Sequence, residues 1–473
     1  MRKFLTTILL MTVLTAFGNF IQLGSDIDGE AAYDISGDSV ALSSDGSVVA
    51  IGAPGNDENG SNSGHVRLYH WDGSSWNQLG SDIDGEASYD YSGISVALSS
   101  DGSIVAIGAN GNDGNGYRSD HSGHVRLHQW DGSSWNQLGS DIDGEAAGDH
   151  SGYSVALSSD GSIVAIGAVG NGSNSGHVRL YHWDGSSWNQ LGSDIDGEAA
   201  GDNSGYSVAL SSDGSIVAIG ARYNDGNGSD SGHVRLYQWD GSSWNQLGSD
   251  IDGESSYDDF GSTVALSSDG SIVAIGAGGS IDYDSHSGLV RLYQWDGSSW
   301  NQLGSDIDGD GLNDLSGSSA ALSSDGSIVA IGVGGNNGNG SNSGLVRLYQ
   351  WDGSSWNQLG SDIDGEDAYD EFGHSVALSS DGSVVAIGAY ENDGNGSDSG
   401  HVRVYASLVD PNDADSDGDG LSDGDEVNTH GTDPKDSDSD DDGVSDGDEF
   451  IRGTDPTFAY TPTNEDSLVG LYP

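Results

Sequence analysis

Leu42-Ser43-Ser44-Asp45-Gly46 decides how this chain is read, because the same five residues begin again at Leu98, Leu157, Leu210, Leu266, Leu322 and Leu378. The steps between copies are 56, 59, 53, 56, 56 and 56 residues. A near-constant period of this size means an array of like units, each burying its apolar face against the next. Residues present in every copy are therefore expected to serve the scaffold rather than one active site.

The second copy shows what a unit builds. Ser95 to Ser99 reads as a short strand, and Asp101-Gly102 as a two-residue hairpin turn. Ser103 to Ala109 is almost entirely small or apolar, which suits a strand buried on both faces. A loop of Asn, Asp and Gly follows from Asn110. His124 to Trp130 alternates and reads as a third strand, Asp131-Gly132 turns again, and Trp135 to Ile142 reads as a fourth. Helical periodicity is absent. Four antiparallel strands in each of seven units predict an all-β, seven-bladed propeller. A β-helix has shorter coils and lacks paired Asp-Gly hairpins.

The ends of the array support this. Trp-Asp-Gly-Ser-Ser-Trp occurs six times, first at Trp71 and last at Trp351, and the final unit stops near Tyr405 without a fourth strand. An orphan fourth strand, Phe20 to Ile27, stands before the first unit, with Phe20 where the other copies have Trp. It is expected to pair with the last unit and close the ring, which removes open sheet edges.

Composition bounds the function. The 473 residues include 76 Asp plus Glu against 13 Lys plus Arg, a net charge of -63. Such a surface repels nucleic acid and anionic membranes and attracts cations. The absence of cysteine excludes disulfides and thiolate metal sites. Arg2 and Lys3, the apolar stretch Phe4 to Phe17 and Ala16-Phe17-Gly18 read as a signal peptide over residues 1–18, with no transmembrane segment expected after it. The expected organisation is a propeller over 19–408, two calcium repeats over 409–456 and a tail over 457–473.

Phe372-Gly373-His374-Ser375-Val376-Ala377-Leu378, followed by Val384 to Ala389, resembles the FG-GAP repeat, and Phe260-Gly261 and Gly52-Ala53-Pro54 match its two name-giving elements. The resemblance covers roughly residues 20 to 406. It implies a seven-bladed propeller like the integrin α head and an extracellular recognition platform. In the integrin type a calcium loop joins the first two strands of some blades. Here that link is only Ser-Ser-Asp-Gly-Ser, so those sites are not expected.

The sharpest chemical motif is C-terminal. Asp415, Asp417, Asp419, Gly420, Asp423 and Glu426 fall at loop positions 1, 3, 5, 6, 9 and 12, and Asp438, Asp440, Asp442, Gly443, Asp446 and Glu449 repeat the spacing. A hard cation needs six to eight oxygens, and alternating carboxylates on a Gly-bent loop supply them for Ca2+. Gly431-Thr432-Asp433-Pro434 and Gly453-Thr454-Asp455-Pro456 follow these loops, a pattern that resembles the thrombospondin type 3 repeat. That resemblance implies a calcium-wrapped extracellular spacer. With almost no apolar core, the segment is expected to depend on bound metal for its fold.

Each link between blades begins Asp-Ile-Asp-Gly. One copy, Asp306, Asp308, Asp310, Gly311 and Asp314, comes nearest a full calcium loop, and the alternative for all of them is a turn capped by Asp side chains. Links and second-to-third-strand loops share one face of a propeller, so an acidic candidate binding face is expected there. The once-per-blade Arg (Arg67 and its six equivalents) is expected in an inter-blade ion pair and the Trp residues in packing. No metal or catalytic role is expected for the recurring His65, His124, His177, His233 and His401.

Together these features predict a secreted or cell-surface, monomeric, non-enzymatic recognition or adhesion protein whose partner is an extracellular protein or glycan. The alternatives are a carbohydrate-active propeller enzyme, for which only the divergent loops at Tyr117-Arg118, Arg222-Tyr223 and Ile281 to His286 offer residues, and a structural surface-layer component.

Overall fold

Residues 20–113, 121–278, 287–311 and 314–407 are described by the computed structural model, together with 418–421, 432, 436–439, 444–452 and 456–457 of the C-terminal segment. The expected signal peptide, Tyr117-Arg118 and Ile281 to His286 lie outside the described residues.

Each Leu-Ser-Ser-Asp-Gly word is a tight turn between the first two strands of a blade. In blade 1 these are Ser39–Leu42 and Val48–Ala53, followed by His65–Trp71, all antiparallel. The Ser43 hydroxyl donates to Asp45 Oδ1 at 2.7 Å, and the Ser47 and Val48 amides donate to Asp45 Oδ1 and Ser43 Oγ at 3.0 and 2.9 Å. Gly46 has φ 70°, and a Cβ there would lie 2.7 Å from Cβ of Val384 in blade 7, so the position admits only glycine.

The second serine of each word joins the blades. The Ser44 amide donates to the Ser100 carbonyl at 2.8 Å, Ser100 to Ser159, Ser159 to Ser212, Ser212 to Ser268, Ser268 to Ser324, Ser324 to Ser380, and Ser380 returns to Ser44 at 2.8 Å. Seven backbone hydrogen bonds thus form a closed ring. The first strands of neighbouring blades pack against one another all the way round, blade 7 against blade 1. The result is the predicted seven-bladed propeller, running from Phe20 to Ser407.

The core lies between blades rather than within them. One cluster joins Ala50, Val66 and Leu68 of blade 1 to Val105 and Ile107 of blade 2. The two name-giving glycines meet at the same seam. A Cβ on Gly52 would lie 2.0 Å from the Gly93 carbonyl oxygen of blade 2, and the Ser39 hydroxyl donates to that oxygen at 2.8 Å. Blade 7 repeats the bond onto blade 1, Ser375 to Gly37 at 2.7 Å.

The predicted fourth strand is two pieces. In blade 1 these are Trp76–Gln78 and Ile83–Asp84, both paired with the third strand. The break serves the neighbouring blade. The Leu79 carbonyl turns outward to accept from Trp135 Nε1 of blade 2 at 2.8 Å. Gly80, at φ 83°, lets Trp130 of blade 2 approach to 2.8 Å of where its Cβ would be. The Trp71–Trp76 pair, with ring centroids 5.4 Å apart, recurs in six blades.

The orphan strand closes the ring as expected. Phe20–Gln22 and Ile27–Asp28 both pair with the third strand of blade 7, Phe20 opposite Ser407 and Ile27 opposite Val402. Leu23 supplies the carbonyl for Trp76 Nε1 at 2.9 Å. At the seam between blades 6 and 7, Phe20 packs on Leu359 where the other seams have a Trp that also donates a hydrogen bond. Removing one such bond elsewhere, by Trp188→Phe, is expected to cost about 1 kcal/mol. Phe20→Trp is expected to raise the urea midpoint, because it supplies the missing donor at the closing seam.

Candidate functional site

The links and the second-to-third-strand loops meet on one face, as the sequence implies. Gly29 N donates to Gly400 O at 2.8 Å, and Asn59 Nδ2 donates to Gly85 O at 3.0 Å. The position-9 aspartates of the links are structural. Asp34 is 3 % exposed, and its Oδ2 accepts from Ala31 N at 2.9 Å, an Asp-capped turn.

The nearest approach to a calcium loop in a link does not assemble as a cage. Asp306 is held by Arg291 through two bonds of 2.9 and 2.8 Å, while Asp310 pairs with Arg347 of the next blade. Asp308 lies in the short outer strand opposite Leu289, and Asp314 accepts from Gly311 N at 2.8 Å. Among the described residues, these four carboxylates are not gathered within reach of one ion.

The mid-strand arginines do pair with acids, and they do so in two ways. Arg67, Arg126, Arg179 and Arg235 face Glu30, Glu86, Glu145 and Glu198 of the incoming links at 3.7 to 3.8 Å. Their Nη2 atoms donate to the link carbonyls of Asp28, Asp84, Asp143 and Asp196 at 2.6 to 2.8 Å. In blades 5 to 7, Arg291, Arg347 and Arg403 form two-bond pairs with Asp306, Asp362 and Asp26 and also pair with the link acids Glu254, Asp310 and Glu366.

Where the arginine turns away, a histidine takes its place beside the outer-strand aspartate. His65 lies with Glu30, Glu58 and Asp82, and His124 with Glu86 and Asp141. His177 lies with Glu145 and Asp194, and His233 with Glu198 and Asp250. In each group the potential ligand atoms lie within 4.8 Å of one another. Burial and the neighbouring arginine push His65 and His124 down to about 4, so both imidazoles are neutral at physiological pH. These groups were not legible in the sequence, because the link glutamate lies 32 to 38 residues before the histidine and the aspartate 17 after it, with no ligand spacing.

In the C-terminal segment, Asp446 and Glu449 sit on a short helix, Asp446–Arg452, and are 0 % and 3 % exposed. Asp446 accepts from the Ser439 amide and hydroxyl at 3.0 and 2.6 Å. Asp419 of the first loop accepts from Leu421 N at 2.8 Å and from Gly447 N of the second, so the two loops touch. Asp438, also described, lies in the turn before them, its amide donating to Asp436 Oδ1 at 3.4 Å. Asp415, Asp417, Asp423, Glu426, Asp440 and Asp442 lie outside the described residues. The helix was not anticipated, though Ser445 followed three residues later by Asp448 is a capping-box signal.

Blade-specific residues gather around the ring. Tyr153 and Tyr206 of blades 3 and 4 have ring centroids 5.0 Å apart. Arg222 donates to Tyr206 Oη at 2.6 Å and to Asp259 of blade 5 at 2.7 Å. Across the seam between blades 7 and 1, His374 Nε2 lies 3.5 Å from Asp38, and the imidazole packs on Tyr390 with centroids 4.2 Å apart and planes tilted by 45°. On the links entering blades 7, 1 and 2, Tyr369, Tyr33 and Tyr89 are 61 %, 63 % and 48 % exposed, each at positive φ (73°, 69° and 69°).

Burial disfavours the charged form of His374, but Asp38, Glu371 and Glu391 outweigh it and raise its pKa above 6.5. A raised histidine contributes stability that is fully present below the unfolded value of 6.5 and is lost as pH rises through the folded value. Asp38→Asn is therefore expected to lower the melting temperature most at mildly acid pH and progressively less toward alkaline pH. An NMR titration of His374 with a midpoint below the free-histidine value would contradict this.

Compared with known protein families, residues 27–69, 195–237 and 362–405 match the FG-GAP repeat. Residues 415–437 and 438–458 match the bacterial TSP3 repeat. No curated protein matches the chain.

Proposed function

From a propeller built of FG-GAP repeats and followed by two bacterial TSP3 repeats, we propose a secreted or cell-surface recognition and adhesion protein without enzymatic activity. The propeller presents the ligand face, toward an extracellular protein or glycan, and the C-terminal repeats bind calcium and act as a spacer. The calcium reading is supported by the loop spacing and by the burial of Asp446 and Glu449, since buried carboxylates call for a counter-cation.

The observation that carries the recognition reading is the arc of exposed tyrosines on three successive links. A non-glycine residue at positive φ is strained, and blades 3 and 4 place Gly148 and Gly201 at the same position. Tyr33, Tyr89 and Tyr369 retain that strain while exposing large aromatic surfaces on an acidic face. Aromatic side chains of this kind are the usual anchors of interfaces, with much contact area for little lost rotamer freedom.

The test is binding of the intact protein to arrays of glycans and extracellular matrix proteins, with calcium and with chelator. Replacing all three tyrosines by glycine is expected to leave the melting temperature unchanged or higher, and to weaken binding at least about tenfold. Undiminished binding by that variant, or turnover of any arrayed glycan, would sink the reading.

A further inference from the structure

We propose that blades 1 to 4 each carry a mixed imidazole–carboxylate site for a borderline first-row divalent cation, with zinc as the ion its donor set fits. The site is built from the histidine that opens the third strand, the glutamate of the incoming link and the aspartate of the outer strand. It is distinct in chemistry from the all-oxygen loops of the C-terminal repeats.

Three independent features converge on it. First, the imidazoles are enclosed, those of blades 1 and 3 without a partner on either nitrogen and those of blades 2 and 4 without one on Nε2. His65 is 0 % exposed and His177 1 % exposed, and neither ring nitrogen of either has a hydrogen bond. Leaving such atoms unpaired is costly, and native proteins rarely do so without a reason. His65 Nδ1 points at Asp82 Oδ2 across 3.8 Å, too long for a hydrogen bond. A zinc ion bonded to each donor at about 2.0–2.1 Å needs those donors about 3.3 Å apart in a tetrahedron. The link glutamates have half-exposed side chains and are held only loosely by arginine, so they can close the remaining gap.

Second, a scaffold bond that recurs in blades 5 to 7, where Gln302, Gln358 and Gln22 donate to Asp306, Asp362 and Asp26, also orients the aspartate for it. Gln78 Nε2 donates to Asp82 Oδ1, leaving Oδ2 directed at His65. Gln137 and Gln190 hold Asp141 and Asp194 in the same way at 2.6 Å. Partners that fix the second oxygen of a ligating carboxylate are a regular part of metal sites. In blade 2, a cavity of about 550 Å3 lined by Glu86, His124 and Asp141 gives the site an entry path.

Third, the chain contains its own control. Blades 5 and 6 have Leu289 and Leu345 where the others have histidine. There Arg291 and Arg347 take up the outer-strand aspartate with two bonds each. In blades 1 to 4 histidine thus occurs with an aspartate that no arginine holds, and in blades 5 and 6 leucine occurs with an arginine-held one. Blade 7 has His401, but Arg403 already holds Asp26, so it is left out of the proposal. Nitrogen donors select zinc-type ions over calcium, which takes oxygen ligands.

The experiment is equilibrium dialysis of the full chain against zinc in excess calcium, with metal counted by mass spectrometry. Four zinc equivalents are expected. The variant with His65, His124, His177 and His233 all changed to Leu is expected to retain none of the four, and His177→Leu alone to lose one. Leucine already occupies this position in two blades, so folding is expected to survive. Cobalt bound to the wild-type chain is expected to give d–d bands and pulsed-EPR coupling to imidazole nitrogen. That readout needs no variant to fold. Zinc uptake that is absent, or equal in wild type and variants, or cobalt without nitrogen coupling, would overturn the proposal.

Discussion

The ring of serine amide-to-carbonyl bonds is the constraint on which everything else hangs. Each blade's turn donates to the next, and the seventh donates back to the first. No blade can therefore tilt or drift without lengthening bonds on both sides. Because the apolar clusters also span neighbouring blades, a lone blade would bury little of its own core. Such an array becomes stable only when closed, and closure falls to residues 20–28, which lie next to Val402 in space but far from it in sequence. The energetic seam of the molecule is thus set by its N-terminal strand.

The same ring explains where variation is allowed. At the inter-blade seam a side chain would strike backbone of the next blade, so Gly52, Gly93 and their equivalents are fixed. One residue beyond the second of these glycines the constraint ends. The seven blades place Asp38, Ile94, Tyr153, Tyr206, Ser262, Ser318 and His374 there. The scaffold tolerates acid, aromatic, hydroxyl and imidazole at one register position, which is what a recognition surface requires of its support.

The fold was legible because period, turn chemistry and strand alternation all point the same way. The count of blades, the closing strand and the buried second strands followed directly. The break in the fourth strand did not, because its cause lies in the next blade: Leu79 turns out to meet Trp135, and only a neighbour's indole gives Gly80 its purpose. The candidate sites divide along the same line. The C-terminal loops are local in sequence, so their spacing is visible. The link at Asp306 to Asp314 also looked local, yet Arg291 and Arg347 reach in from two blades and separate its carboxylates. The histidine groups were invisible for the converse reason, since Glu30, His65 and Asp82 come together only when strands pair.

Charge ties these observations together. With -63 formal charges, the chain cannot neutralise its acidic face from its own 13 Lys and Arg. Seven of those cations are the mid-strand arginines, buried among links and outer strands. Where a blade carries leucine at the head of its third strand, the arginine pairs with both the outer-strand aspartate and the link carboxylate. Where it carries histidine in blades 1 to 4, the arginine is drawn to the link backbone and the aspartate stands beside the imidazole. In blade 1, three carboxylates, Glu30, Glu58 and Asp82, gather around His65 and only Glu30 has an arginine beside it, a surplus that a divalent cation would balance. Between blades 1 to 4 and blades 5 and 6, the residue heading the third strand and the placing of the arginine thus change together, while blade 7 combines histidine with an arginine-held aspartate. The same scaffold can accommodate both outcomes because neither choice disturbs the backbone ring beneath it.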